Sequence, residues 1–182
     1  MNGKLLSLED AEARCRTIQA QGRRVVLTNG CFDLLHVGHV RYLRKARGLG
    51  DALVVALNSD ASARALKGPA RPIVREEERA EVVAALASVD YVTVFDDATA
   101  EGVVSALRPD IYVKGGDYDT DRRDLPEAGV VRGYGGTVFL LELEPGTGTT
   151  EIIRTVVRRY RDGLFSWPRT ALPPVRDAVA GG

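Results

Sequence analysis

Five short apolar-rich segments lie at 23–30, 51–58, 90–95, 110–115 and 137–143, and a helix-like segment separates each from the next. Runs this short, bounded by turn residues and lacking polar alternation, read as strands buried on both faces. Strands that alternate with helices make a parallel sheet with helices on both sides, joined by right-handed crossovers. The expected architecture is therefore α/β, a doubly wound sheet of five parallel strands.

Helices are expected at 7–21, 36–47, 60–66, 75–87, 98–107, 124–131 and 149–162. Ser7 can cap the first with Asp10 three positions on, Gly22 ends it, and Gly48 and Gly50 close the second. Residues 67–72 form a loop by their Gly-Pro and Arg-Pro steps, and a polar loop follows the fourth strand. Residues 1–163 read as one domain opened by a helix. Residues 164–182, with three prolines and no period, read as an extended tail.

Charge narrows the function. Lys plus Arg and Asp plus Glu are both 25, so the chain has no basic excess for a general nucleic-acid or anionic-membrane surface. Phosphate chemistry would have to rest on a local cluster. No apolar run reaches the ~20 residues that span a bilayer. Acidic residues come too early for a secretion signal, and two isolated cysteines, Cys15 and Cys31, make no disulfide framework. The expected compartment is the reducing cytoplasm.

Two glycine-rich segments carry the chemistry. The first, TNGCFDLLHVGH, occupies 28–39 and holds both histidines of the chain. Three apart at a helix start, His36 and His39 point the same way, and Gly38 between them leaves room for a phosphate. Gly30 lets the backbone turn close to a ligand. Two backbone-bonded structural histidines, or a zinc site with Cys31 as third ligand, are the competing readings; no fourth zinc ligand is evident. The second segment, Gly146-Thr147-Gly148-Thr149-Thr150, opens the last helix. There free amides and the helix dipole favour an anion, and Thr149 or Thr150 can cap. A plain glycine turn competes with that reading. The third glycine of a dinucleotide fingerprint and the lysine of a P-loop are both missing.

Lys67, Arg71 and Arg75 add three positive charges before the next acid, a setting for a substrate phosphate and a pyrophosphate leaving group. Lys67 and Arg71 are the candidates, Arg75 reads as solvated, and Arg79 stays ambiguous. Lys114, Gly115 and Asp117 follow the fourth strand on the same edge, where glycines permit close stacking of a base and Asp117 can accept hydrogen bonds.

TNGCFDLLHVGH strongly resembles the HxGH signature of the cytidylyltransferase-like nucleotidyltransferases, which have a Rossmann-like fold. LKGPARP, AALASVDYV and RPDIYVKGGDY are similar to the heptose 1-phosphate adenylyltransferase branch, and the likeness runs from about Arg24 to Arg161. The resemblance implies that His36 and His39 stabilise charge at the α-phosphorus, and the loop's charge makes Lys67 a further catalytic candidate. The resemblance implies that Asn29, Gly30, Cys31, Phe32, Gly38, Lys114, Gly115, Asp117 and 146–150 bind the nucleotide. Gly148 stands where the family has serine. The implied reaction joins ATP and D-glycero-D-manno-heptose 1-phosphate to give ADP-heptose and pyrophosphate. Mg²⁺ would be held through the nucleotide phosphates, with no metal-ligating residue of the protein. A homodimer is implied too. Only 22 residues precede the first strand, so the preceding sugar kinase is expected on another polypeptide. A CTP-dependent enzyme acting on glycerol 3-phosphate or another small phosphate, and a nucleotide-binding module without turnover, are the alternatives.

Overall fold

In the computed structural model, residues 3–116, 125–142, 146 and 148–164 are described. They belong to two compact units, Met1–Thr147 and Gly148–Gly182. The first unit runs α1 (Leu8–Ala20), β1 (Val25–Gly30), α2 (Val37–Arg47), β2 (Ala52–Asn58), α3 (Asp60–Lys67) and α4 (Glu76–Ala84). It continues with β3 (Tyr91–Phe95), α5 (Glu101–Leu107), β4 (Ile111–Gly115), α6 (Pro126–Gly133) and β5 (Thr137–Leu141). The second unit holds α7 (Thr149–Arg161).

The five strands form one parallel sheet in the order β3-β2-β1-β4-β5. The chain winds outward from β1 to β3 and then returns to place β4 on the other side of β1. That reversal opens a crevice at the carboxyl ends of β1 and β4, where open α/β sheets bind ligands. Alternate residues supply two cores. Val25, Leu27 and Val54 pack with Cys15, Ile18, Val104 and Leu107 on one face. Val26, Leu53 and Val55 pack with Tyr42, Leu43, Val83 and Val92 on the other. Every residue of β2 is buried, which explains its unbroken apolar run.

Local signals agree with the elements. Ser7 caps α1, its Oγ accepting the Asp10 N–H at 3.0 Å, and Gly22 ends the helix at φ 71°. Two starts shift. α5 begins at Glu101, three residues later than expected, and Glu127 accepts the Ala100 N–H just before it. α6 begins on Pro126, whose missing N–H is no loss in a first turn. Residues 3–6, to which no element was assigned from sequence, cover the open edge of β3. Val92 N donates to Lys4 O, Leu6 N donates to Val92 O, and the Lys4 ammonium donates to Leu86 O and Val89 O after α4. Thr149 and Thr150 do not cap α7; its N-cap is Gly148, with no side-chain cap bond.

Candidate active site

The turn after β1 is shaped by its own side chains. Phe32 adopts a left-handed backbone (φ 44°), a conformation that costs roughly 1–2 kcal/mol for a residue with a Cβ. The turn brings its ring within 5.1 Å of the His39 ring centroid. A Cβ at Gly30 would meet that ring at 3.0 Å. Glycine there accommodates Phe32, a closer constraint than the ligand approach expected from sequence.

His36 is the N-cap of α2, and His39 lies one turn in. Their rings stack at 3.8 Å, and each has a buried Nδ1 without a hydrogen-bond partner among the described residues. Unmet buried polar atoms are uncommon and mark places where a ligand or water completes the bonding. Burial lowers the pKa of both rings. For His39, burial with the nearby His36 and Lys67 charges brings it down to about 4. Both are neutral near pH 7 and able to donate or accept. Helix α2 is fastened beneath them by Tyr42, whose hydroxyl meets Thr28 Oγ1 at 2.7 Å and donates to Val113 O at 3.1 Å.

The basic loop is stitched to this turn by two buried charged side chains. Asp33 accepts from Arg71 and from the Ile73 and Val74 N–H groups. Burial opposes its charge, but those bonds outweigh it and hold the carboxyl below its ordinary range. Arg79, with a side chain 0% exposed, donates to Val74 O, Cys31 O, Asn58 O and Asp60 Oδ1. Its ambiguous status ends there: it joins the turn after β1, the end of β2 and the loop before α4. Arg71 was expected to face a substrate phosphate, yet its guanidinium turns inward to Asp33. Lys67, at the end of α3, is exposed, has no ion-pair partner among the described residues and lies near His39. Arg75 pairs with Glu78 at the surface, as expected.

On the β4 side, Lys114 donates to Asn29 Oδ1 at 3.0 Å, joining two expected nucleotide residues across the crevice. Gly115 ends β4 in register with Leu141. Asp117 and Thr147 lie outside the described residues. The Cys31 thiol contacts Asn58 Oδ1 at 3.8 Å. No group of three His, Cys, Asp or Glu forms a metal cage among the described residues, so the zinc reading gains no third ligand. Gly148, Thr149 and Thr150 belong to the second unit, where they open α7 with extended backbone at Gly148 (φ −168°). A cleft of about 940 Å³ lies at the opposite, amino edge of the sheet, among Arg24, Asp110, Tyr134 and Phe139, away from the histidines.

Asp33, Tyr112 and Glu127 were not among the expected site residues. Asp33 stood inside the quoted motif and could have been flagged there. Glu127 has no local signal, since its partners are distant in sequence.

An open parallel sheet with paired histidines at a helix start beside its switch point defines the chain as an α/β protein of the doubly wound type. The chain belongs to the cytidylyltransferase-like family, whose model matches residues 27–154. It is 56% identical over 146 residues to "Bifunctional protein HldE" of Syntrophotalea carbinolica, covering 79% of this chain and 29% of that protein. It is 54% identical over 142 residues to the HldE protein of Geobacter sulfurreducens, covering 78% of this chain and 29% of that one. The chain thus spans under a third of the curated relatives it matches. Among solved structures it is similar to the lipopolysaccharide core biosynthesis protein of Thermoplasma volcanium. There the TM-score is 0.57 and identity 31%, covering 68% of this chain and 98% of that one.

Proposed function

We propose that this protein transfers AMP from ATP to D-glycero-D-manno-heptose 1-phosphate, releasing pyrophosphate and forming ADP-heptose. The observation that carries the reading is the stacked, neutral His36–His39 pair beside the uncommitted Lys67 at the sheet's switch point. The identity to HldE proteins supports the choice of substrates.

In the reaction an oxygen of the sugar phosphate attacks the α-phosphorus. The new P–O bond forms as the α–β bridging bond breaks, and the electron pair leaves with pyrophosphate. The acceptor oxygen is already anionic near neutral pH, so no general base is needed. Catalysis then reduces to alignment and charge stabilisation. The His36 and His39 rings donate to phosphate oxygens as charge moves onto them. Lys67 meets the phosphates as a point charge. Arg71, through Asp33, keeps the loop next to Lys67 in place. The amides opening α7 at 148–150 bind phosphate in the same reading. Mg²⁺ bound through the triphosphate, with no residue of the protein assigned to hold it, would supply positive charge to the phosphate oxygens.

The same reading makes the enzyme cytoplasmic and homodimeric, with heptose 1-phosphate supplied by a sugar kinase. Among the described residues no helix is long and apolar enough to cross a membrane. The test is pyrophosphate release with each of four nucleoside triphosphates against a panel of sugar and polyol phosphates. Turnover with ATP and heptose 1-phosphate is expected. Preferential use of CTP with glycerol 3-phosphate would overturn it, and binding without turnover would leave a nucleotide-binding module.

A further inference from the structure

The Lys114 ammonium has three protons and three protein groups around it. Its Nζ lies 3.0 Å from Asn29 Oδ1, 3.4 Å from the Tyr112 hydroxyl and 3.8 Å from Glu127 Oε1. Tyr112 donates to the same Asn29 Oδ1 at 2.6 Å. That oxygen therefore accepts from two donors, which fixes the amide plane and its orientation. The Asn29 Nδ2 group has no partner among the described residues, and it stands at the carboxyl end of β1, beside the switch point.

Glu127 explains why the lysine stays there. The residue is 3% exposed, its Oε1 accepts the Ala100 N–H at 3.1 Å, and its Oε2 is buried without a partner among the described residues. A carboxylate buried this deeply is costly unless a cation faces it, and Lys114 is its ion-pair partner. The lysine is held between Glu127 and Asn29, with its Nζ in hydrogen-bond reach of Asn29 and Tyr112 and ion-paired to the Glu127 carboxylate. Asn29, at the carboxyl end of β1 and with its oxygen accepting from two donors, keeps both Nδ2 protons uncommitted among the described residues.

We propose that Glu127, Lys114 and Tyr112 are positioning residues acting through Asn29, and that Asn29 Nδ2 makes the nucleotide contact otherwise expected of Lys114. The ligand group it takes is a hydrogen-bond acceptor of the nucleotide, an oxygen or a ring nitrogen. The inference deepens the proposed function and rests on it.

The test is a double-mutant cycle in the full chain. Binding of the α,β-methylene analogue of ATP is measured by calorimetry, alongside steady-state turnover and thermal melting. Asn29→Ala and Lys114→Met are each expected to weaken binding about tenfold, the worth of one or two hydrogen bonds, and to raise KM more than they lower kcat. In the Asn29→Ala background, Lys114→Met should change binding less than about twofold, because groups acting through one another are not additive. Lys114→Met with Glu127→Gln removes the ion pair as a unit. It keeps an acceptor for the Ala100 N–H, so a folded protein is available if the single lysine variant melts early. Its loss of binding should likewise vanish in the Asn29→Ala background.

A full lysine effect in that background would mean Lys114 touches the nucleotide itself and would overturn the inference. So would wild-type binding by Asn29→Ala. If the wild-type chain binds the analogue with the expected cycle but releases no pyrophosphate, the proposed reaction falls and this inference stands. If it turns over and the cycle is additive, only the inference falls. No analogue binding by wild type sinks both.

Discussion

Asp33 and Arg71, 38 positions apart, form an ion pair whose side chains are 3% and 16% exposed. The same carboxylate takes the Ile73 and Val74 N–H groups at 2.9 and 3.0 Å. One acidic side chain from the histidine turn therefore sets the path of the loop that follows Lys67. Removing one partner of a buried pair leaves the other charge uncompensated, at a cost of about 3 kcal/mol or more. Asp33→Ala should lower the free energy of unfolding by that amount in urea titration and reduce kcat/KM as the loop loosens. Asp33→Asn, which keeps an acceptor, should lose less of both. An unchanged urea midpoint in Asp33→Ala would mean the loop is held elsewhere.

His39→Ala should lower kcat by about 10²–10³ while nucleotide affinity changes far less, because the ring acts on charge that develops mainly in the transition state. Steady-state kinetics with a calorimetric Kd for the methylene analogue separates the two. Turnover within a few-fold of wild type would remove His39 from the mechanism.

The depressed pKa of His39 makes stability depend on pH in a defined window. The unfolded ring titrates near 6.5 and the folded one at about 4, so between those values the unfolded chain binds a proton that the folded protein refuses. Stability is therefore complete above about pH 6.5 and falls as pH drops toward 4. Melting temperatures should decline across that window, and His39→Gln should remove part of the decline. Asp33, also lowered, acts below its ordinary value of 3.8, outside the window. A His39→Gln melting profile parallel to wild type would show that burial does not hold the ring neutral.

Gly148 stands where relatives of this kind are expected to carry serine. Its φ of −168° is extended backbone open to any residue, and a Cβ there meets nothing within 4 Å. Gly148→Ser should leave the melting temperature unchanged and alter kcat/KM by less than about tenfold, the worth of one ordinary hydrogen bond. A much larger gain at constant stability would mean that a serine hydroxyl, and not the amides alone, binds phosphate there.

The central strands could be read from the chain because a strand buried on both faces is apolar throughout, and that property is local; the edge strands β3 and β5 are apolar as well but leave Val94 and Phe139 exposed. Val25 to Leu27 and the whole of β2 carry it in consecutive letters. The histidine pair was equally legible, since three-residue spacing at a helix start already places both rings together. The edge strap at Lys4–Leu6 was not, because two backbone hydrogen bonds to Val92 leave no compositional trace.

What the amino-acid sequence alone determined is therefore the alternation of strands and helices, the turn that carries His36 and His39, and the presence of a basic loop. The tertiary structure decided the strand order that opens the crevice between β1 and β4. It also decided what each charge does there: Arg71 turned to Asp33, Arg79 buried among four acceptors, and Lys114 held by Glu127 over Asn29. A residue's periodicity and spacing are written into its neighbours along the chain. The partner of a buried charge comes from wherever folding brings an opposite group within a few ångströms, and in a low-dielectric interior that partner sets its role.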